Sequence, residues 1–195
     1  MQRITEFHNI MPIANIPSVL QHGLLSHEQA SLLEHADASL AEVQERRDKI
    51  SVPRGMTLHK YANVYFHARN PMMSLRRNDA ENLCVLRISK DILQFPNVVV
   101  ADQNAASNYV RFLSPQQISP YTLDLDLIYA EDWRHPEQIT YWRQKSRKCA
   151  EVLVPNRIPI EYVFGVYVVS QQAANQLLQY GCRLPAEINP YLFFR

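Results

Sequence analysis

Glu151 is a lone acid in the apolar run CAEVLV, preceded at close range by Tyr141, Trp142, Arg143, Lys145, Arg147 and Lys148. An acid in a strand that is apolar on both sides stands either at an exposed strand end or in a cleft. In a cleft, a carboxylate can stabilise an oxocarbenium ion and hold a ribose 2′-hydroxyl. His8, in the strand-like run ITEFHNI, is the matching part, because an imidazole hydrogen-bonds ribose hydroxyls. A strand histidine and a later strand acid are two parts that an NAD-cleaving transferase needs. The bland readings stay open: a packed or surface His8, and a solvated Glu151 paired with Lys148.

Two basic stretches add to this. Arg46 and Arg47 lie in the mixed-charge string QERRDK, which reads either as a solvated helix face or as two fork-shaped phosphate donors. In residues 141–148, Arg143, Lys145, Arg147 and Lys148 suit phosphates, and Tyr141 and Trp142 suit base stacking. An amphipathic helix with one aromatic in the core explains the same composition equally well.

Several elements must hold these residues in place. Strand-like runs cover Ile4–Ile10, Tyr61–His67, Asn82–Ser89, Asn97–Ala101, Ala150–Val154 and Tyr162–Ser170. Helical periodicity predicts Ile13–His22, with Gly23 just past its end, and residues 28–49, 104–112 and 136–148. A last helix, QQAANQLLQY, is closed by Gly181. This mixture predicts an α+β fold on a substantial antiparallel or mixed sheet.

The bulk numbers narrow the classes. With 195 residues, 47% hydrophobic and 20% charged, the chain suits one domain spanning 1–195. The net charge of +1 makes any basic face a local feature. Apolar runs are too short to span a bilayer, and MQRITEFHNI lacks the apolar core of a signal peptide. Cys84, Cys149 and Cys182 show no CxxC spacing, which points to a reducing cytoplasm and away from structural zinc. Four glycines leave no room for a Rossmann or P-loop phosphate turn.

Five ordered pieces carry a resemblance: FHNI followed by NIPSVLQHGLLSH, VQERRDKISVP, LHKYANVYFHARNPMM, ADQNAASNYVRF and KCAEVLVPNRIP. Over roughly residues 4 to 180 the chain resembles the DarT-type DNA ADP-ribosyltransferases, toxins of bacterial toxin–antitoxin pairs. The resemblance implies an ADP-ribosyltransferase-like fold with a central sheet and flanking helices. It also implies NAD as co-substrate without a metal, single-stranded DNA as acceptor, and a DarG-type macrodomain antitoxin as partner. Residue by residue, it places His8 on the NAD ribose with Asn9 and Ile10 beside it, and Gly23 and Leu24 near the cofactor. Arg47 would assist catalysis and meet the NAD phosphates. Tyr65, Phe66, Pro71 and Met72 would shape the nicotinamide and adenine pockets. Glu151 would be the catalytic glutamate, and the basic segment ending at Lys148 the substrate-recognition loop.

Two stretches depart from thymidine-modifying relatives: YANVYF replaces a YVPFYF-like strand, and ADQNAAS puts Asn104 where a TDxH-like segment has histidine. Asparagine is no base near neutral pH, though it can read a base edge, so the expectation leans to guanine. The alternatives are thymidine, RNA or protein as acceptor, or a nucleic-acid-binding module with a degenerate active site.

Overall fold

The run EFHNIMP, flanked by apolar segments that pair with it on both sides, becomes strand β1 (Glu6–Pro12) near the middle of an eight-stranded sheet. The computed structural model describes residues 4–33 and 47–195. In chain order the remaining elements are α1 (Ile16–His22), β2 (Leu24–Leu25), α2 (His27–Ala30), β3 (Tyr61–Tyr65), α3 (Pro71–Arg76), β4 (Leu83–Ser89), β5 (Val99–Ala101) and β6 (Phe112–Leu113). Then follow α4 (Leu125–Tyr129), α5 (Gln138–Arg147), β7 (Glu151–Pro155), β8 (Arg157–Ile158), β9 (Val163–Val168), α6 (Gln171–Gln179) and β10 (Ala186–Ile188). The strands run in the order β10-β9-β4-β1-β3-β7-β5-β6, and β2 pairs with β8 in a small second sheet. Every pairing in the large sheet is antiparallel except β9 with β10. The α+β expectation therefore holds. Among the described residues, no helix is long and apolar enough to cross a membrane.

Period-two alternation separates the two faces of this sheet. Val64, Val152 and Val100 face one another across β3, β7 and β5, and all three are fully buried. Phe7 and Phe66 meet edge-to-face at 5.1 Å, a favourable aromatic geometry. The adjacent residues His8 and Tyr65 point to the opposite face.

The helix ends follow local chemistry. Gly23 stops α1 at φ 78°, and a Cβ there would lie 2.3 Å from the Ile158 carbonyl oxygen. Only glycine permits both the left-handed turn and the close approach of β2 to β8. Ser170 caps α6 by accepting from the Ala173 N–H.

One helix expectation needs correction, and a second falls partly outside the described residues. Residues 104–112 form turns leading into β6, not a helix. The Asn104 Oδ1 accepts from the Ala106 N–H at 2.8 Å, and Ser107 Oγ from the Tyr109 N–H. Such side chains offer the main chain an alternative to helical hydrogen bonds. The helix expected over 28–49 begins as α2, capped by Ser26, but α2 ends at Ala30. Residues 34–46, including Arg46 and the first half of the QERRDK string, lie outside the described residues.

Candidate active site

Strand register builds the site. Gly165, Arg87, His8, Tyr65, Glu151 and Ala101 are successive Cα partners across β9, β4, β1, β3, β7 and β5. Directly opposed residues of antiparallel strands share a face, so four polar side chains line up in one row. His8 and Glu151 flank Tyr65 and stand about 10 Å apart, two strand spacings.

At the β7 end, Glu151 is 1% exposed. Its two carboxylate oxygens share one guanidinium nitrogen, the Arg47 NH1, at 3.2 and 3.3 Å. The Ala105 main-chain N–H donates to the Glu151 Oε1 at 2.8 Å. Ionised, the carboxylate offers about four lone-pair sites, so these three contacts from the described residues leave it capacity for a ligand hydroxyl. Burial, then the neighbouring Glu151 charge, pushes the Tyr65 phenol far above its ordinary value, which keeps Tyr65 a hydrogen-bond donor. Burial, with Glu151 second, lifts the Cys149 thiol to about 12; a thiol held there is no nucleophile.

At the β1 end, both ring nitrogens of His8 are engaged. Its Nδ1 accepts from the Ala68 N–H at 2.9 Å, so the ring proton sits on Nε2 and is donated to the Glu6 Oε1 at 2.8 Å. Glu6 also accepts from the Tyr167 hydroxyl at 3.0 Å and from the Arg87 Nε and NH2 at 3.0 and 2.8 Å. Burial alone would raise the Glu6 carboxyl, but the hydrogen bonds from His8, Arg87 and Tyr167 together outweigh it and hold the group at about 2. His67 packs beside this cluster, 5.8 Å from the His8 ring and 5.6 Å from the Tyr129 ring. Its Nδ1 is buried and makes no hydrogen bond among the described residues. Burial first, with the neighbouring His8 ring and the Lys148 ammonium acting in the same direction, lowers His67 to about 3, a polar contact with the Arg69 main chain offsetting part of this. Glu6 and His67 went unnoticed in the sequence, although each stands two residues from a singled-out residue, His8 or Tyr65, and so shares its face.

The other candidates divide. Asn9 donates its amide N–H to the Asn63 carbonyl at 3.0 Å, and its Oδ1 is buried without a partner among the described residues. Ile10 and Leu24 are packed into the main core, and Gly23 serves the β2–β8 approach, so the structure gives these three packing roles. Phe66 is corrected outright: it is 1% exposed against Phe7, on the face away from Glu151. Its neighbour Tyr65 is the aromatic on the site face. Met72 is half-buried at the start of α3, where the Asn70 Oδ1 accepts from the Met72 and Met73 N–H groups. The Met72 main chain touches Cys149, two residues from Glu151.

On the acceptor side, Asn104 lies one residue from the amide that holds Glu151. Its Oδ1 is committed to Ala106, which leaves its NH2 as the side-chain donor. The Asn104 N–H donates to the Ser146 carbonyl at 2.9 Å, tying α5 to this turn. On α5, Trp142 is 60% exposed, Arg143 and Arg147 are exposed, and Tyr141 and Lys145 are half-buried, with the Lys145 ammonium 5.9 Å from the Tyr141 ring. Lys148 does not belong with these cations. It is 1% exposed and donates to the Ile128 carbonyl at 2.7 Å and to the Ala130 carbonyl, which pins the end of α4. The expectation of a phosphate contact there is corrected, because a side chain satisfied by buried carbonyls faces no strand.

Known proteins resemble this chain in sequence and fold. The family described as "ssDNA thymidine ADP-ribosyltransferase, DarT" matches residues 8–194. A DNA ADP-ribosyl transferase of Thermus sp. (strain 2.9) is 27% identical over 98% of this chain and 94% of its own length. A fusion protein of Thermosipho africanus, joining a DNA ADP-ribosyl transferase to a DNA ADP-ribosyl glycohydrolase, is 25% identical over 98% of this chain, which spans 50% of the fusion. Among solved structures, Thermus sp. 2.9 DarT in complex with ADP-ribosylated ssDNA superposes with a TM-score of 0.84 at 25% identity, over 97% of this chain and 96% of that one. Thermosipho africanus DarTG in complex with ADP-ribose has the same fold, with a TM-score of 0.86 at 23% identity over 97% of this chain and 51% of that one. A match from His8 to Phe194, spanning the whole polar row, means that this chain belongs to the DarT family.

Proposed function

We propose that this chain transfers the ADP-ribosyl group of NAD to a base of single-stranded DNA. One observation carries the reading: a buried carboxylate, Glu151, is clamped by Arg47 and the Ala105 amide on one row with Tyr65 and His8. The family match and the Thermus relative bound to ADP-ribosylated ssDNA support the substrate pair.

In this mechanism the nicotinamide ribose lies over Tyr65. Glu151 holds the 2′-hydroxyl and stabilises the cation as the bond to nicotinamide breaks and its electron pair leaves with the ring. Arg47 gives Glu151 one nitrogen, and the remaining donors of its fork suit the pyrophosphate. A base nitrogen attacks the anomeric carbon, forms the new bond with its lone pair and loses its proton to solvent water. His8 cannot be the base that takes this proton, since its one lone pair is spent on Ala68; it orients. Single-stranded DNA fits because pairing hides the attacking atom and extrusion costs a few kcal/mol.

For the acceptor we favour guanine. Asn104 stands beside the carboxylate clamp and cannot deprotonate a thymine ring nitrogen, whereas its free NH2 can donate to a purine edge. The family description names thymidine, which is the competing assignment. The biological consequence of the mark would be blocked replication, and its partner a glycohydrolase of the kind fused to the Thermosipho relative. The test is incubation with NAD and four single-stranded oligonucleotides, each lacking one base, followed by mass spectrometry for added ADP-ribose. Loss of the adduct only without guanine supports the Asn104 argument. Loss only without thymine keeps the enzyme and overturns the acceptor, and no adduct on any strand overturns the reading.

A further inference from the structure

Tyr121 and Tyr109 are 94% and 87% exposed, the two most exposed large apolar side chains among the described residues. A single exposed aromatic is ordinary. These two sit at the tips of adjacent turns that the structure fixes to each other and to the carboxylate. Tyr109 lies in the β5–β6 connection, four residues beyond the Ala105 amide that holds Glu151, on a turn closed by Ser107. Tyr121 tops the Ser119–Thr122 turn, where the Thr122 and Leu123 N–H groups donate to the Ser119 carbonyl at 3.1 and 3.0 Å. One arginine joins the two turns. The Arg111 Nε donates to the Asp102 Oδ2 at 2.6 Å, its main-chain N–H to the Asp102 Oδ1 at 2.9 Å, and its NH2 to the Thr122 carbonyl at 2.9 Å. Alongside runs α5, tied to the same connection through Ser146 and Asn104; it presents exposed Trp142, Arg143 and Arg147 and contains no acid.

We infer that Tyr109 and Tyr121 are a two-point stacking rail for the nucleotides flanking the acceptor base, with the cations of α5 facing the phosphates. The inference rests on the reading of single-stranded DNA as acceptor and deepens it by naming what holds the rest of the strand. The chemistry selects an unpaired strand. Each base of a single strand offers a free π-face, which an aromatic ring holds regardless of sequence, while basic side chains follow the backbone. A duplex has no such faces to give. Tyrosine suits the task because only two torsions must be fixed on binding, and the Arg111 clamp fixes the turns beforehand.

The experiment uses the full chain and oligonucleotides with one central acceptor base, lengthened from roughly 4 to roughly 16 nucleotides, within the range such grooves cover. In the wild type, KM for DNA falls as flanks are added. The double variant Tyr109→Ala/Tyr121→Ala loses about tenfold of that gain, the Tyr109→Phe/Tyr121→Phe variant keeps it, and NAD hydrolysis without DNA is the same in all three. Equal length dependence in wild type and the alanine variant overturns the rail. Loss in the phenylalanine variant also overturns it, because stacking does not need the hydroxyls. Salt-dependent binding of fluorescent oligonucleotides separates the two layers. Tyrosine-dependent binding without any transfer leaves the rail standing and sinks the transferase reading. An equal or larger tyrosine effect on single-stranded RNA overturns DNA as the partner.

Discussion

Glu6 and Glu151 are both carboxylates on the same face of one sheet, and each meets an arginine from a distant part of the chain. Their surroundings differ in completeness. The Glu6 Oε2 accepts from two nitrogens of Arg87, Nε and NH2, and its Oε1 from His8 and Tyr167, all within 2.8–3.0 Å. Glu151 shares a single nitrogen of Arg47 at 3.2 and 3.3 Å and has one short bond, to a main-chain amide. Short, forked, charge-assisted bonds are the strong ones. The saturated carboxylate is a strut that fixes the His8 ring. The less saturated one, though more deeply buried, keeps acceptor capacity for a substrate.

That contrast can be broken by substitution. Glu151→Gln is expected to lower ADP-ribosyl transfer about a thousandfold with near-normal far-UV circular dichroism; transfer within a few-fold of wild type would remove Glu151 from the chemistry. Glu6→Ala should act on the fold instead, costing about 1–2 kcal/mol in urea unfolding, because His8, Tyr167 and two Arg87 nitrogens lose their acceptor while Glu187 still pairs with the Arg87 NH1. A variant as stable as wild type would show that the strut carries no load. Arg47→Lys keeps a charge but loses the planar fork, and about a tenfold rise in KM for NAD is expected from it; an unchanged KM would free Arg47 from the pyrophosphate.

The smallest effect concerns pH. The folded state holds His67 near 3, below its ordinary 6.5, so it resists protonation there, and stability falls as pH drops from about 6.5 towards 3. Glu6, held near 2 against 4.5, acts with the same sign in a lower window: its contribution is complete above about 4.5 and fades towards 2. His67→Asn should therefore flatten the stability profile in the upper window and leave the lower one. Parallel profiles for variant and wild type would place the acid sensitivity elsewhere.

Much of the frame was legible in the sequence because it depends on local periodicity. The strands at β1, β3, β4, β7 and β9 and the helices at α1, α5 and α6 all follow from apolar spacing and flanking glycines. What escaped depends on register and on the main chain. Phe66 and Tyr65 are neighbours of one strand, and only the pairing of Tyr65 with Glu151 decides which of them faces the site. Arg47 and Glu151 are 104 residues apart, so only a resemblance could bring them together. Lys148 sits among solvated cations in sequence but reaches two carbonyls at the end of α4, a contact that no spacing rule announces. The turns over 104–112 deceived for the opposite reason: their apolar spacing suggested a helix, while Asn104 and Ser107 bond to their own main chain.

The shortest bond to Glu151 comes from the backbone of Ala105, a buried residue whose side chain takes no part in it. Among single substitutions, only proline removes a backbone N–H outright. Point mutation can therefore retune the surface of the 102–111 connection, which on the proposed reading faces the acceptor, while the hold on the carboxylate is inherited unchanged. The acceptor preference of such an enzyme can drift without passing through an inactive ancestor.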